Sequence, residues 1–147
     1  MKFEKADKKQ IDKIVEIELK SFYKWTESKG KEEKNVKELF DEGKKAFLIK
    51  QRNAIIGYLF YQIKSKYFHL EVVSLEKKYQ GKGLGKKILK ELIEKAKKEK
   101  CKGMFLEVWA KNFPAIGLYN KFKFVVIEIK KKHYPNKDDK LVMKLEF

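Results

Sequence analysis

Three glycines stand within five residues of the stretch YQGKGLGKKIL, residues 79–89, and lysines surround them. Glycine lets a backbone turn tightly and bring successive N–H groups close to a bound anion. Apolar residues recur at helical intervals directly afterwards, so the positive dipole end of a helix should begin here. Lys82, Lys86 and Lys87 add positive charge. The pattern predicts a cradle for pyrophosphate, with a plain flexible turn and a nucleotide site as alternatives.

The spacing of Gly81, Gly83 and Gly85 fits neither of two common phosphate motifs. A Walker A loop has four residues between its glycines before a Lys-Ser/Thr pair, and the dinucleotide fingerprint reads G-x-G-x-x-G. The chain therefore predicts another kind of phosphate ligand.

Periodicity outlines the elements in the first half of the chain. Asp7 and Gln10 have capping-box spacing, and apolar residues then recur at helical intervals as far as Phe22. A weaker pattern predicts a shorter helix over Lys31 to Gly43, ending at a glycine cap. The segments AFLIK, AIIGYLFYQIK and YFHLEVVSL predict a three-strand antiparallel meander, with QRN as a turn.

The second half of the chain predicts a parallel crossover. Apolar positions from Leu84 to Ala96 mark a long helix, and GMFLEVWA follows as a buried strand. A short helix through Ile116 and Tyr119 and two strands, FVVIEI and LVMKLEF, complete the pattern. The fold class is α/β, a mixed sheet with helices on both faces, and 147 residues suffice for one domain, residues 1–147.

The charge balance is strongly basic. The chain has 37 Lys+Arg against 21 Asp+Glu, a formal net charge of +16, which favours polyanionic partners such as nucleic acid. Solvated lysine faces or a proteome-wide bias explain the same excess. No apolar run approaches the roughly 20 residues of a membrane span, and KFEKADKKQ is no signal core. We expect a soluble, cytoplasmic protein.

Few residues suggest metal or disulfide chemistry. The single cysteine, Cys101, excludes an internal disulfide and a thiolate-rich metal site, and we expect it to be a small buried apolar residue. His69 and His133 lack ligand spacing. No metal is predicted.

Two sequence blocks resemble the GNAT superfamily of acetyl-coenzyme A-dependent N-acetyltransferases. Residues 80–85, QGKGLG, match the signature Q/R-x-x-G-x-G/A, and LEVWAKNFPAIGLYNKFKF is similar to L-E-V-x-x-x-N-x-x-A-I-x-L-Y-x-K-x-G-F, with Lys123 in place of the last glycine. The resemblance runs from about Ile11 to the C-terminus. It is closest to the branch that acetylates protein N-termini, the ribosomal-protein alanine acetyltransferases and their archaeal relatives. It implies a GNAT fold of about seven strands and four helices, with acetyl-CoA as cosubstrate.

The resemblance also implies catalytic roles. Glu107 would be the base, directly or through water, with burial raising its pKa, and Tyr119 would protonate the coenzyme A sulfur. Without the resemblance, Glu107 is a solvent-facing strand residue and Tyr119 a core aromatic. Direct attack by the acceptor amine on the thioester needs no covalent enzyme intermediate, so Cys101 would not act as a nucleophile.

The coenzyme A residues follow from the same resemblance. The backbone of Val73 and Leu75 would pair with pantetheine, and Asn112 would both cap a helix and contact the coenzyme. The full set is Val73, Leu75, Gln80, Gly81, Lys82, Gly83, Leu84, Gly85, Lys86, Asn112 and Tyr119.

The resemblance defines the acceptor site less closely than the coenzyme site. Tyr23, Trp25, His133 and Tyr134 would line a slot for a peptide N-terminus, with a ribosomal protein as the expected partner; His133 replaces a tyrosine of the branch. One alternative is a small amine such as a polyamine or amino sugar, although a polyamine needs an acidic pocket that these loops do not obviously provide. Another is a catalytically silent coenzyme A-binding or nucleic-acid-binding module.

Overall fold

The computed structural model describes residues 1–21 and 28–147 of the chain. Within them the helices are α1 (Ile11–Leu19), α2 (Lys29–Asp41), α3 (Leu84–Lys98) and α4 (Phe113–Lys121). The strands are β1 (Lys2–Ala6), β2 (Lys45–Gln51), β3 (Ala54–Lys64), β4 (Tyr67–Leu75), β5 (Gly103–Trp109), β6 (Val125–Lys130) and β7 (Lys140–Glu146). The strands form one mixed sheet in the order β1-β2-β3-β4-β5-β7-β6, which confirms the predicted α/β class.

The chain divides into two compact units, and β4 contributes residues to both. The amino-terminal unit comprises Met1–Gln62 and Glu71–Gly81. Its core forms where the apolar faces of α1 and α2 pack on β2 and β3, as their helical spacing predicts. The buried members of this core are Ile14, Val15, Ile17, Val36, Ala46, Leu48, Tyr58 and Phe60.

The carboxy-terminal unit comprises Ile63–Leu70 and Lys82–Phe147. Tyr67–Leu70 of β4 pairs in parallel with β5, which confirms the predicted crossover through α3. Strand β7 pairs antiparallel with both β5 and β6. Helix α3 buries the apolar stripe that predicted it, Leu84, Ile88, Leu89, Leu92, Ile93 and Ala96. Cys101 is buried, as expected.

Several element boundaries follow local chemistry. The capping box at Asp7 and Gln10 is present, with Lys9 N donating to Asp7 Oδ1 at 2.8 Å and Asp7 N to Gln10 Oε1 at 2.7 Å. Gly43 after α2 has φ +81°, the left-handed conformation of a glycine cap. Lys123 after α4 takes a similar conformation at φ +74°, which costs a non-glycine residue about 1 kcal/mol.

The sequence did not predict β1. This strand, KFEKA, pairs antiparallel with β2 at an edge of the sheet. Its charged residues suit an edge strand but obscure the apolar alternation that reveals interior strands. The part of the first predicted helix around Phe22 lies outside the described residues. No helix among the residues described is both long and apolar enough to cross a membrane.

Candidate active site

The glycine-rich turn takes the backbone conformation that its composition predicts. Gly81 has φ +71° and Gly83 has φ +77°, both in the left-handed region that disfavours side chains. A Cβ at either position would meet nothing within 4 Å, so backbone conformation rather than crowding requires glycine there. Gly83 is the N-cap residue of α3, whose first turn contains no acidic side chain. The helix end therefore retains its positive dipole.

The Gln80 side chain hydrogen-bonds the backbone at the start of this turn. Its side-chain amide donates to the carbonyl oxygen of Leu75 at 2.8 Å and to that of Ser21 at 3.0 Å. Both amide hydrogens are thus directed at the backbone of the amino-terminal unit. Gln80 would therefore act on a ligand by holding the turn rather than by side-chain contact.

Of the other residues predicted to form the cradle, one packs in the core and the lysines are exposed to solvent. Leu84 is buried and fixes the first turn of α3, whereas Lys82 and Lys86 are exposed, as is the neighbouring Lys87. A Cβ on Gly85 would lie 3.5 Å from the Leu118 side chain, an ordinary contact. Exposed lysines beside free helix amides suit a phosphorylated ligand.

The end of β4 carries the predicted pantetheine contacts. Val73 and Leu75 are half-buried, and Ser74 between them is buried. The Leu75 carbonyl already accepts the Gln80 hydrogen bond, although a carbonyl oxygen has a second lone pair.

Glu107 is held between two lysines on neighbouring strands. Lys130 Nζ lies 2.6 Å from Glu107 Oε1, and Lys140 Nζ lies 2.9 Å from Oε2. Burial by itself raises the pKa of Glu107, but the hydrogen bonds and charges of the two lysines outweigh it and hold the pKa below its usual range. The expectation that burial would raise this pKa is wrong, because the sequence did not reveal the two lysines beside it.

Helix α4 places Asn112 and Tyr119 as predicted. Asn112 Oδ1 accepts a hydrogen bond from Ala115 N at 3.3 Å, which makes Asn112 the side-chain cap of α4. Tyr119 is half-buried, and its ring centroid lies 5.9 Å from that of buried Phe124. This contact fits either a proton donor with a packed ring or a plain core aromatic.

The turn between β6 and β7 carries the predicted aromatic pair. The rings of His133 and Tyr134 meet edge to face at 5.1 Å, and Lys140 Nζ lies 5.6 Å from the Tyr134 ring centroid. Burial and the charge of Lys140 lower the pKa of His133, which favours its neutral imidazole. Lys140 thus lies beside the Tyr134 ring and also pairs with the Glu107 carboxylate. Tyr23 and Trp25 lie outside the described residues.

Acidic residues fix the same turn. Asp138 accepts from Trp109 Nε1 at 2.8 Å and pairs with Lys111 at 3.0 Å, and Asp139 accepts from Lys132 N at 3.0 Å. The aromatic pair is thus carried on a cross-linked turn.

Sequence reasoning missed three charged residues, Lys130 and Lys140 in the carboxy-terminal unit and Glu18 in the amino-terminal unit. Each lysine belongs to a charged run, KKK at 130–132 or KDDK at 137–140, which indicates exposure until the β6–β7 register brings the two residues opposite one another. Glu18 is a polar residue on amphipathic α1, where the default expectation is exposure. Instead Tyr58 Oη donates to Glu18 Oε2 at 2.7 Å, and burial raises the pKa of Glu18.

Comparison with known proteins identifies the family. Residues 11–124 match the model of the acetyltransferase (GNAT) family, so the chain belongs to this family of acetyl-CoA-dependent N-acetyltransferases. It is 29% identical over 136 residues to the "Putative [ribosomal protein bS18]-alanine N-acetyltransferase" of Bacillus subtilis (strain 168), covering 90% of this chain and 87% of that protein.

Two further matches differ in how much of the chain they cover. The spermine/spermidine N(1)-acetyltransferase of Bacillus subtilis (strain 168) is 49% identical over 51 residues, so the match spans 34% of this chain and 34% of that relative's length. The crystal structure of the ribosomal-protein-S18-alanine N-acetyltransferase from Escherichia coli superposes with a TM-score of 0.85 at 24% identity, over 99% of this chain and 92% of that one. The structural likeness confirms the fold.

Proposed function

We propose that this acetyltransferase modifies the α-amino group of protein N-termini, with a ribosomal protein as the acceptor class. The main support is the extent of the sequence match to the ribosomal-protein relative, which covers 90% of this chain. The match to the polyamine enzyme is confined to 51 residues. A ribosomal acceptor would place the reaction in the cytoplasm.

The proposed coenzyme contacts follow the chemistry of acetyl-CoA. The N–H groups from Gly81 to Gly85, with Lys82 and Lys86, would hold its pyrophosphate at the start of α3. In the amino-terminal unit, the backbone of Val73 and Leu75 would pair with the pantetheine amides. In the carboxy-terminal unit, Asn112 would contact the coenzyme.

The proposed transfer is a direct attack of the amine on the thioester. Tyr119 would donate its hydroxyl proton to the departing sulfur, which leaves as a thiol. Glu107, kept ionised by Lys130 and Lys140, is a poor proton acceptor because its pKa is lowered. Its proposed role is to fix those lysines, and through Lys140 the aromatic pair that would line the peptide slot.

The test is release of coenzyme A thiol from acetyl-CoA across an acceptor panel. The panel holds peptides beginning Ala, Ser or Met-Leu, together with spermidine, spermine and an amino sugar. The matched control is the Ala peptide with its N-terminus already acetylated. We expect kcat/KM for the best free peptide to exceed that for every small amine by at least about tenfold. A polyamine turned over faster than all peptides would contradict the proposal.

Polyamine acetylation is the second candidate function. The 49% identity to the spermine/spermidine enzyme favours it, although over one third of the chain. The acidic residues Glu18 and Glu32, both in the amino-terminal unit, also favour it, since a polyamine is a cation.

A further inference from the structure

Glu18 is a carboxylate set into the amino-terminal unit against two hydroxyl groups. Tyr58 of β3 donates its hydroxyl to Glu18 Oε2 at 2.7 Å. Ser74 of β4 faces the same carboxylate and is only 2% exposed. Three elements, α1, β3 and β4, thus direct polar atoms at one point of the amino-terminal unit.

Ser74 faces the Glu18 carboxylate without a well-aligned hydrogen bond. Its Oγ is buried and makes no hydrogen bond of good geometry to any part of the chain that the structure describes. Buried hydroxyls in native proteins are normally satisfied, and an orphan calls for a ligand or another explanation. This hydroxyl is directed at Glu18, so whatever satisfies it would also meet the carboxylate.

Glu18 also lacks a cationic partner in residues 1–21 and 28–147, although the chain carries 37 Lys+Arg. The nearby lysine of α1, Lys20, pairs with Glu16 at 2.8 Å instead. The charged group that does face Glu18 is another carboxylate, Glu32 of α2, which is 8% exposed. The Glu18 carboxylate and a buried hydroxyl without a well-aligned hydrogen bond together suit a small cation with several N–H donors, which describes a primary ammonium group.

One member of this cluster, Ser74, is adjacent in β4 to residues already proposed to bind the coenzyme. Ser74 lies between Val73 and Leu75, the proposed pantetheine contacts. The inference rests on the proposed function to this extent: an acyl acceptor must bring an amine to the coenzyme.

We propose that Glu18, Ser74 and Tyr58 form the receiving site for the ammonium group of the acceptor, and that Glu18 takes its proton. An amine at neutral pH carries a proton on nitrogen and has no lone pair for attack. Transfer of that proton to a Glu18 oxygen leaves a neutral amine and a neutral carboxylic acid. The amine then attacks the thioester carbon and the C–S bond breaks. The sulfur takes the proton that Tyr119 donates, the attacking nitrogen gives up its second proton to restore the Tyr119 hydroxyl, and the carboxyl proton of Glu18 is returned to water.

The environment of Glu18 suits proton uptake. Burial, with the charge of Glu32, raises the pKa of Glu18, while the hydroxyls of Tyr58 and Ser74 oppose that shift. A raised pKa brings the carboxylate closer to that of an α-amino group, about 7.7–8.0, and so eases transfer between them. Glu107 lies in the opposite electrostatic environment.

The experiment compares Glu18→Gln with the wild-type enzyme on the fastest amine of the panel. Glutamine keeps an acceptor oxygen for Tyr58 but cannot take a proton. We expect kcat/KM to fall by about 10²-fold or more at pH 6.5 and the deficit to shrink towards pH 8.5, where the free amine predominates. Glu16→Gln, an exposed change on the same helix, is the matched control and should leave the pH profile unaltered.

Two further readouts separate a binding site from a structural contact. Ser74→Ala should raise KM for the amine several-fold with kcat nearly kept, and should not lower the Tm, because its hydroxyl makes no hydrogen bond of good geometry in the free protein. Glu18→Gln should raise the Tm at pH 7. A raised pKa in the folded state means that unfolding releases protons and stability falls as pH rises above the unfolded value, so a neutral replacement gains.

The outcomes distinguish this inference from the proposed function. If spermidine is the fastest amine of the panel, a loss of its turnover in Glu18→Gln that depends on pH would support the ammonium site. The same result would contradict N-terminal acetylation. Turnover of the Ala peptide by Glu18→Gln at the wild-type rate, or a deficit equal at every pH, would overturn the ammonium site and leave N-terminal acetylation standing. A wild-type enzyme inactive on every amine would contradict both.

Discussion

At the residue scale, two glutamates differ in electrostatic surroundings. Glu107 lies between Lys130 and Lys140, which lower its pKa, whereas Glu18 lies against hydroxyls and another carboxylate, and its pKa is raised. Environments that separate the pKa values of like groups commonly separate their roles. Glu107 therefore suits a fixed negative charge, and Glu18 suits proton transfer.

A substitution of Tyr119 distinguishes a catalytic role of its hydroxyl from a packing role of its ring. We expect Tyr119→Phe to keep the contact with Phe124 and the coenzyme affinity, and to lower kcat by about 10²–10⁴-fold because the leaving thiolate loses its proton donor. Stability should change by about 1 kcal/mol at most. Turnover and Tm are measured on one preparation; a lowered Tm with normal turnover would instead identify a core aromatic.

At the element scale, the glycine turn and α3 depend on one another. Gly83 holds φ +77° as the N-cap residue of α3, so its conformation sets the direction of the first N–H groups of the helix. The open space around its Cβ position means that a methyl group there would strain the backbone without a clash.

Gly83→Ala should therefore act through the backbone. We expect a loss of about 1 kcal/mol in the free energy of unfolding and a roughly tenfold rise in the Kd for acetyl-CoA measured by calorimetry, because the N–H groups turn away from the pyrophosphate. Gly30→Ala is the control, since Gly30 lies within α2 with nothing near its Cβ position; it should stabilise by up to about 1 kcal/mol and leave the Kd unchanged. An unaltered Kd in folded Gly83→Ala would remove the turn from the coenzyme site.

The elements that the sequence predicted share a strong local signal. The apolar stripe of α3 has the helical period, and the apolar density of β5 indicates a buried strand. The capping box at Asp7 marks a helix start within four residues. The charged edge strand β1 lacked such a signal. The lysines around Glu107 depend on strand register over about 30 residues of chain, and the Glu18 cluster on tertiary packing, so neither was readable from local pattern.

At the scale of the whole molecule, the basic composition and the acidic cluster have different consequences. A net charge of +16 would assist approach to a polyanion such as a ribosome, and that assistance falls with added salt. Glu18, whose pKa is raised by burial and by the charge of Glu32, is the proposed site for the acceptor ammonium within this basic chain. A long-range attraction to the particle and a short-range site for the amine are compatible in one enzyme.

The central claim, transfer of acetyl to a protein α-amino group, is tested most directly by locating the transferred group. A peptide that begins with Ala and carries one internal Lys is incubated with the enzyme and acetyl-CoA, and tandem mass spectrometry assigns the added acetyl. The account predicts a single acetyl on the α-amino nitrogen of Ala. Acetyl on the Lys side chain, or a peptide left unmodified while spermidine is acetylated, would contradict it.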